Sequence, residues 1–285
     1  MQIIKSREEL KRFILQHKKS KNTIGFAPTM GALHPGHISL YEVARTENDV
    51  VVSSIFVNPT QFNNPDDLEK YPRTLEKDLQ TLETSGFVDA VYLPEIKDLY
   101  PNGAVSRQYN FEGIEMEMEG ASRPGHFDGV GTVVEELFRQ VQPDNAYFGE
   151  KDFQQLAIIK KLTEITQLSV KIHGVPTARE TDGVAMSSRN KRLTEHGRKT
   201  AEIIPDTLFK VQQWFGKLSI PEINQKVKEI FENEPEIRME YFTIADEQTL
   251  RKVEIIQKDH QYRAFLVVVI GDVRLIDNMQ LSHNL

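Results

Sequence analysis

The chain has 285 residues, 39% of them apolar, and a formal net charge of −7. That length buries one large core or, more in keeping with its pattern, two unequal ones, and the absence of cysteine excludes disulfides, thiolate zinc sites and thiol nucleophiles. Lysine and arginine form no basic stripe, so nucleic acid is a poor candidate partner. No apolar run approaches the roughly 20 residues of a membrane helix, and the charged opening MQIIKSREELKRF lacks a signal peptide's apolar region. A cytoplasmic protein with no membrane partner is expected.

Residues 6–17 read as a first helix, with Ser6 and Glu9 at capping-box spacing. Thr23–Ala27 reads as a strand, PTMGALHPGH (28–37) as a loop, and His37 to about Glu47 as a helix. Val50–Val57 is a β-branched run apolar on both faces, as in a strand buried inside a parallel sheet. Helices over 74–85, 128–140 and 152–166 then alternate with strands over 88–93, 145–148 and 170–175. The expected fold class is therefore α/β, a doubly wound parallel sheet, with ligands at the carboxyl ends of its strands. Loops 28–36, 58–65, 149–151 and 176–190 all follow strands and should meet in one cleft. Beyond Asn190 come polar helices over 195–216 and 221–232, then strands over 238–244 and 264–270. This predicts two domains, 1–183 and a smaller α+β unit 184–285, with the charged segment Ala178–Asn190 as hinge.

The pair His34/His37 admits three readings: metal ligands, ordinary loop residues, or donors to an anion. Zinc needs three or four protein ligands; Pro35 and Gly36 interrupt any helix between the two, and no Asp or Glu is close in sequence, so no metal site is assigned. A place after a strand and at the start of a helix favours phosphate, because free N–H groups and the positive dipole end point outward there. Val57-Asn-Pro-Thr-Gln-Phe62 is either an Asn-Pro turn or part of the same rim. In Phe148-Gly-Glu-Lys-Asp-Phe-Gln-Gln155, Lys151 and Gln155 share a helix face; the segment is a solvated first turn or a lysine placed on a polyphosphate. Met186-Ser-Ser-Arg-Asn190 is a charged loop or a phosphate clamp. Spacing assigns no role to Glu119–Gly129. Together these loops support nucleotide binding with phosphate chemistry.

In wording and order, PTMGALHPGH, IFVNPTQF, YPRT (71–74), RPGHFDGV, YFGEKDFQQL and MSSRN resemble the pantoate–β-alanine ligases, from about residue 22 to 194. HPGH is also similar to the phosphate-binding histidine motif of class I aminoacyl-tRNA synthetases and nucleotidylyltransferases. The resemblance implies a Rossmann-like first domain with a C-terminal lid, usually a homodimer. It also implies ATP as co-substrate with Mg²⁺, a pantoyl-adenylate intermediate, and ligation of pantoate to β-alanine with release of AMP and pyrophosphate. Carried over by position, Met30, Gly31, Ala32, Leu33, His34, Pro35, Gly36 and His37 cradle ATP, with His37 as proton donor. Gly149, Glu150, Lys151 and Asp152 form a second nucleotide segment, and Ala178 makes a backbone contact. Met186, Ser187, Ser188 and Arg189 form the clamp. His37, His34, Lys151 and Arg189 are the implied catalytic group. Gln61 and Gln155 hold pantoate, and Gln61 also lies near β-alanine. Ala178 and Val184 stand where common family versions carry Val and Leu. A nucleotidylyltransferase and a non-catalytic nucleotide-binding module are the rival readings. The pair Gln61/Gln155 argues against both, since two neutral amides suit a small hydroxy acid.

Overall fold

The computed structural model describes residues 1–63 and 65–282; residue 64, in the expected 58–65 loop, and residues 283–285 lie outside the described residues. The chain forms two compact units, one of residues 1–150 and 154–176, the other of residues 151–153 and 177–285. The expected division at 183/184 falls inside the second.

The first unit runs β1 (Gln2–Ile4), α1 (Arg7–Lys19), β2 (Ile24–Thr29), α2 (Pro35–Glu47), β3 (Val50–Ile55), α3 (Pro65–Lys70) and α4 (Leu75–Ser85). It continues through β4 (Ala90–Tyr92), α5 (Ile96–Leu99), α6 (Met118–Ser122), α7 (His126–Val141), β5 (Asn145–Gly149), α8 (Phe153–Thr166) and β6 (Lys171–Val175). Its six strands are all parallel, in the order β1-β4-β3-β2-β5-β6. Helices cover both faces, as the period-2 alternation of β2 requires. Ala27 joins Leu40, Tyr41 and Ala44 of α2 in one core cluster, while Phe26 meets Phe138 of α7 edge-on at 6.2 Å between ring centroids. Ser6 caps α1 by accepting the Glu9 N–H. From β2 the chain moves outward to β3 and β4, then returns to the other flank of β2 with β5 and β6. The strand order thus reverses between β2 and β5, the topological switch point where open α/β sheets bind ligands. The loops carrying PTMGALHPGH and Gly149-Glu150 leave the sheet there.

The second unit holds α9 (Glu195–Thr200), α10 (Ile203–Trp214), α11 (Ile220–Glu232) and the antiparallel sheet β7 (Ile237–Asp246), β8 (Tyr262–Ile270) and β9 (Val273–Leu281). Leu208 and Val211 of α10, Ile223 and Val227 of α11, and Ala264, Leu266 and Val268 of β8 form its core. The single helix expected over 195–216 is two, because Pro205 has no N–H to give the Ala201 carbonyl. Strands β1 and β9 are additions to the sequence reading. The first is three residues long, and Asp277-Asn278 interrupts the apolar pattern of the second.

The 178–190 segment lies wholly within the second unit. Ala178 and Met186 are joined by an N–H···O bond of 2.9 Å, and Arg179 and Ala185 pair, making a small hairpin. Val184 is in the unit's core, and Arg179 makes a two-pronged ion pair with buried Asp277 at 2.7 and 3.0 Å. Burial and a forked charge pair fix these residues within the second unit. The chain instead passes between units at 150/151, 153/154 and 176/177.

Candidate active site

Pro35 and Gly36 do not break a helix between the histidines; they begin one. His34 is the N-cap of α2, Pro35 its first residue and His37 its third. Proline is favoured there because its missing N–H has no partner in the first turn anyway. The two imidazoles therefore lie together, 4.0 Å between ring centroids. The His34 N–H donates to His37 Nδ1 at 3.3 Å, which leaves the ring proton of a neutral His37 on Nε2. His37 is thus set to donate from Nε2.

The turn before α2 is held by a residue that the motif reading passed over. Gly31 (φ +84°) and Ala32 (φ +53°) are both left-handed, turning the N–H groups of Ala32 and Leu33 to one side. That concavity is filled by a carboxylate: Asp78 Oδ2 accepts from Ala32 at 3.0 Å and Oδ1 from Leu33 at 2.8 Å. Asp78 is 2% exposed and is held in turn by the Thr74 hydroxyl, 3.2 Å from both oxygens. Ala32 and Leu33 shape the loop while their N–H groups are taken, and the start of α2 with its two imidazoles is the remaining anion-seeking surface. A side chain at Gly31 would meet Asp78 Oδ2 at 3.0 Å. The signal for Asp78 was present in sequence: it sits in the apolar stripe Leu75, Leu79, Leu82 of α4, where an unpaired carboxylate would be strongly destabilising.

Gln61 ends a single turn after β3, Pro59–Gln61, and is 8% exposed. Its amide orientation follows from its neighbours. Tyr100 Oη, at 2.6 Å, and Thr60 Oγ1 both donate to Asn58 Oδ1, and burial raises the Tyr100 pKa and keeps its phenol a donor. Asn58 Nδ2 is therefore a donor, to Gln61 Oε1 and to the Gly129 carbonyl, each at 3.1 Å. Gln61 consequently presents its amide N–H₂, and Nε2 contacts Met30 Sδ at 3.2 Å. The structure thus brings Met30 of the first loop against Gln61 of the second.

The 119–129 segment, silent in the sequence reading, holds this glutamine from behind. Arg123 Nη2 and His126 Nδ1 lie 3.1 and 2.9 Å from the Gln61 carbonyl oxygen. Gly129 lets α7 pass so close that a Cβ there would lie 2.4 Å from the Thr60 carbonyl oxygen. Asn58, Tyr100, Arg123 and His126 are therefore supports that the sequence reading missed. They reveal themselves only once distant segments are folded together.

The adjacent glutamines in α8 differ. Gln154 is buried and closes three backbone bonds, with Ile114, Glu117 and Glu119. Gln155 is half-buried and makes no side-chain hydrogen bond among the described residues. Gly149 ends β5 and Glu150 starts a short turn.

In the second unit, the Lys151 side chain is 18% exposed, and its ammonium lies 3.7 Å from the half-exposed Asp152 carboxylate, longer than a hydrogen bond. Ser187 Oγ accepts the Arg189 N–H at 3.2 Å and caps the turn Ser188–Arg192. Ser187 is thus partly a structural cap. The Ala178 carbonyl is already bonded to the Met186 N–H.

The family model for pantoate-beta-alanine ligase matches residues 2–280. Curated pantothenate synthetases from Flavobacterium psychrophilum and Christiangramia forsetii are 46% and 47% identical to the chain, each match covering 99% of it and 100% of the relative. The crystal structure of pantothenate synthetase from Thermus thermophilus superposes with a TM-score of 0.89 at 38% identity, over 98% of this chain and 99% of that one. That of pantoate-beta-alanine ligase from Francisella tularensis, complexed with beta-gamma ATP and beta-alanine, superposes with a TM-score of 0.80, also at 38% identity, over 98% and 97%. A match over nearly the whole length, with both units included, places the chain in the pantoate–β-alanine ligase family.

Proposed function

We propose that the chain makes pantothenate in two steps, using ATP at its switch-point loops. A carboxylate oxygen of pantoate attacks the α-phosphorus, and the bond from that phosphorus to the bridging oxygen of pyrophosphate breaks. The amine of β-alanine then attacks the acyl carbon of pantoyl adenylate, AMP leaves, and the amine proton passes to solvent. The observation that carries this reading is the contact between Met30 and Gln61. It sets an amide donor, suited to a carboxylate, against the loop that leads into the histidine-capped helix start suited to phosphate.

In this reading Met30, Gly31, Ala32, Leu33, His34, Pro35, Gly36 and His37 form the nucleotide loop. Its donors are the imidazoles and the helix start. His37 hydrogen-bonds phosphate through Nε2. Gly149, Glu150 and Asp152, with Ala178 and Met186, shape the nucleotide site, while Lys151, Ser187, Ser188 and Arg189 stabilise the charge that builds on the phosphates. Gln61 and Gln155 orient pantoate, neutral amides that neither repel a carboxylate nor lock it in an ion pair. Gln61 then receives β-alanine. The nucleophile is the substrate's own carboxylate, so the work of the protein is positioning and charge stabilisation. Mg²⁺ is the proposed companion of ATP and would add positive charge on the phosphates when bound. Asp78 is committed to two N–H groups, so phosphate oxygens rather than Asp78 would ligate the ion, and no step is drawn through it. A homodimer acting in the cytoplasm is the assembly and place that family resemblance supports; among the described residues no helix is long and apolar enough to cross a membrane.

Pantoate labelled with ¹⁸O in its carboxylate tests the chemistry. One label per turnover is expected in AMP, because the attacking oxygen stays on phosphorus. Unlabelled AMP would exclude an acyl adenylate.

A further inference from the structure

Two residues of β9, Asp277 and Asn278, are each 4% exposed although polar. Both belong to the C-terminal third, where no motif pointed to function. Asn278 pairs with Phe265 across the sheet, on the β8 face opposite the helices. On that face Phe153 packs against Phe265, 6.1 Å between centroids, and its ring is covered by the Arg263 guanidinium at 3.9 Å. The segment 151–153 is thereby attached to the second unit.

The amide of Asn278 completes the attachment at the residue that matters. Its Nδ2 donates to the Lys151 carbonyl oxygen at 2.8 Å. Its Oδ1 accepts from Arg263 Nη1 at 2.6 Å, and Arg263 Nε donates to Glu247 Oε1 at 2.8 Å. The arginine fixes which end of the Asn278 amide faces Lys151, since a guanidinium can only donate. Beside it, Asp277 grips Arg179, and the Asn278 N–H donates to Asp277 Oδ1 at 2.8 Å. A buried polar group held on every side is destabilising unless all its partners are present. A leucine or valine would have filled the strand position without needing any of them.

We propose that Asn278 is a positioning residue for Lys151, setting the backbone from which the lysine reaches the phosphates. The proposal rests on the role given to Lys151 above. Asn278 touches no reacting atom; it acts by fixing the Lys151 carbonyl, and with it the direction of the Cα–Cβ bond. Small misplacements of a charge-stabilising group carry large rate penalties.

Asn278→Asp keeps the acceptor for Arg263 and removes the donor to Lys151. In pantoate-dependent exchange of labelled pyrophosphate into ATP, its kcat is expected to fall about 10-fold or more with KM for pantoate unchanged. Made on a Lys151→Ala background, the same substitution is expected to change the rate less than about twofold, because its effect passes through the missing side chain. If Asn278→Asp does not fold, Asn278→Thr, which suits a strand and lacks the reach, carries the same two-background comparison. A rate within twofold of wild type, or an equal loss in both backgrounds, overturns the proposal and leaves the role of Lys151 standing. A normal rate for Lys151→Ala alone removes that role, and this proposal with it.

Discussion

Asp78→Asn is expected to lower the rate of adenylate formation about 10²-fold while ATP and pantoate still bind. The carboxylate now satisfies two N–H groups of a left-handed turn, and an amide can accept from only one of them while turning its own N–H₂ against the other. Hydrogen bonds to a charged, buried acceptor are worth about 1.5–3 kcal/mol each, so the thermal midpoint should fall by roughly 5–10 °C. The rate loss should exceed what that destabilisation explains. At assay temperatures well below the midpoint the variant is folded, yet Ala32 is no longer held at positive φ and the start of α2 drifts from the sheet edge. A melting curve and single-turnover kinetics on the same sample check this. A variant that melts early but turns over at the wild-type rate would show that Asp78 serves the fold alone.

Lys151→Ala is expected to lower adenylate formation by about 10²-fold or more, as loss of one charge-stabilising donor does elsewhere. The side chain is mostly buried, and its ion pair with the half-exposed Asp152 carboxylate, at 3.7 Å, is longer than a hydrogen bond, so its N–H groups can still turn to a polyanion. Lys151→Arg should recover little, because a planar fork does not replace a compact ammonium. Rapid-quench measurement of the first turnover checks both. A near-normal rate for Lys151→Ala would take the residue out of the mechanism.

Much of the first unit was legible in sequence because its signals are local. The run Val50–Ile55 could only be a strand buried on both faces, and Ser6 with Glu9 announced α1. The loops after β2 and β3 follow neighbouring parallel strands, so the meeting of Met30 with Gln61 followed from topology. The start of α2 was misread for a local reason as well: Pro-Gly signals a break in a helix interior but a beginning at its first residues. What sequence concealed were the long-range partners. Asp78 reaches back 46 residues to Ala32, and His126 reaches back 65 to Gln61. Asn278 is 127 residues from Lys151. Each looks like an isolated polar residue until the fold supplies its counterpart. An acid inside an apolar helical stripe, or Asp-Asn inside a strand, is the visible half of such a pair.

The central claim is that an acyl adenylate forms at the loops after β2 and β3 before β-alanine takes part. Exchange of labelled pyrophosphate into ATP tests it most directly. With ATP, pantoate and Mg²⁺ present and β-alanine omitted, label should enter ATP, and leaving out pantoate should abolish its entry. Exchange that is absent, or equally fast without pantoate, would contradict the account.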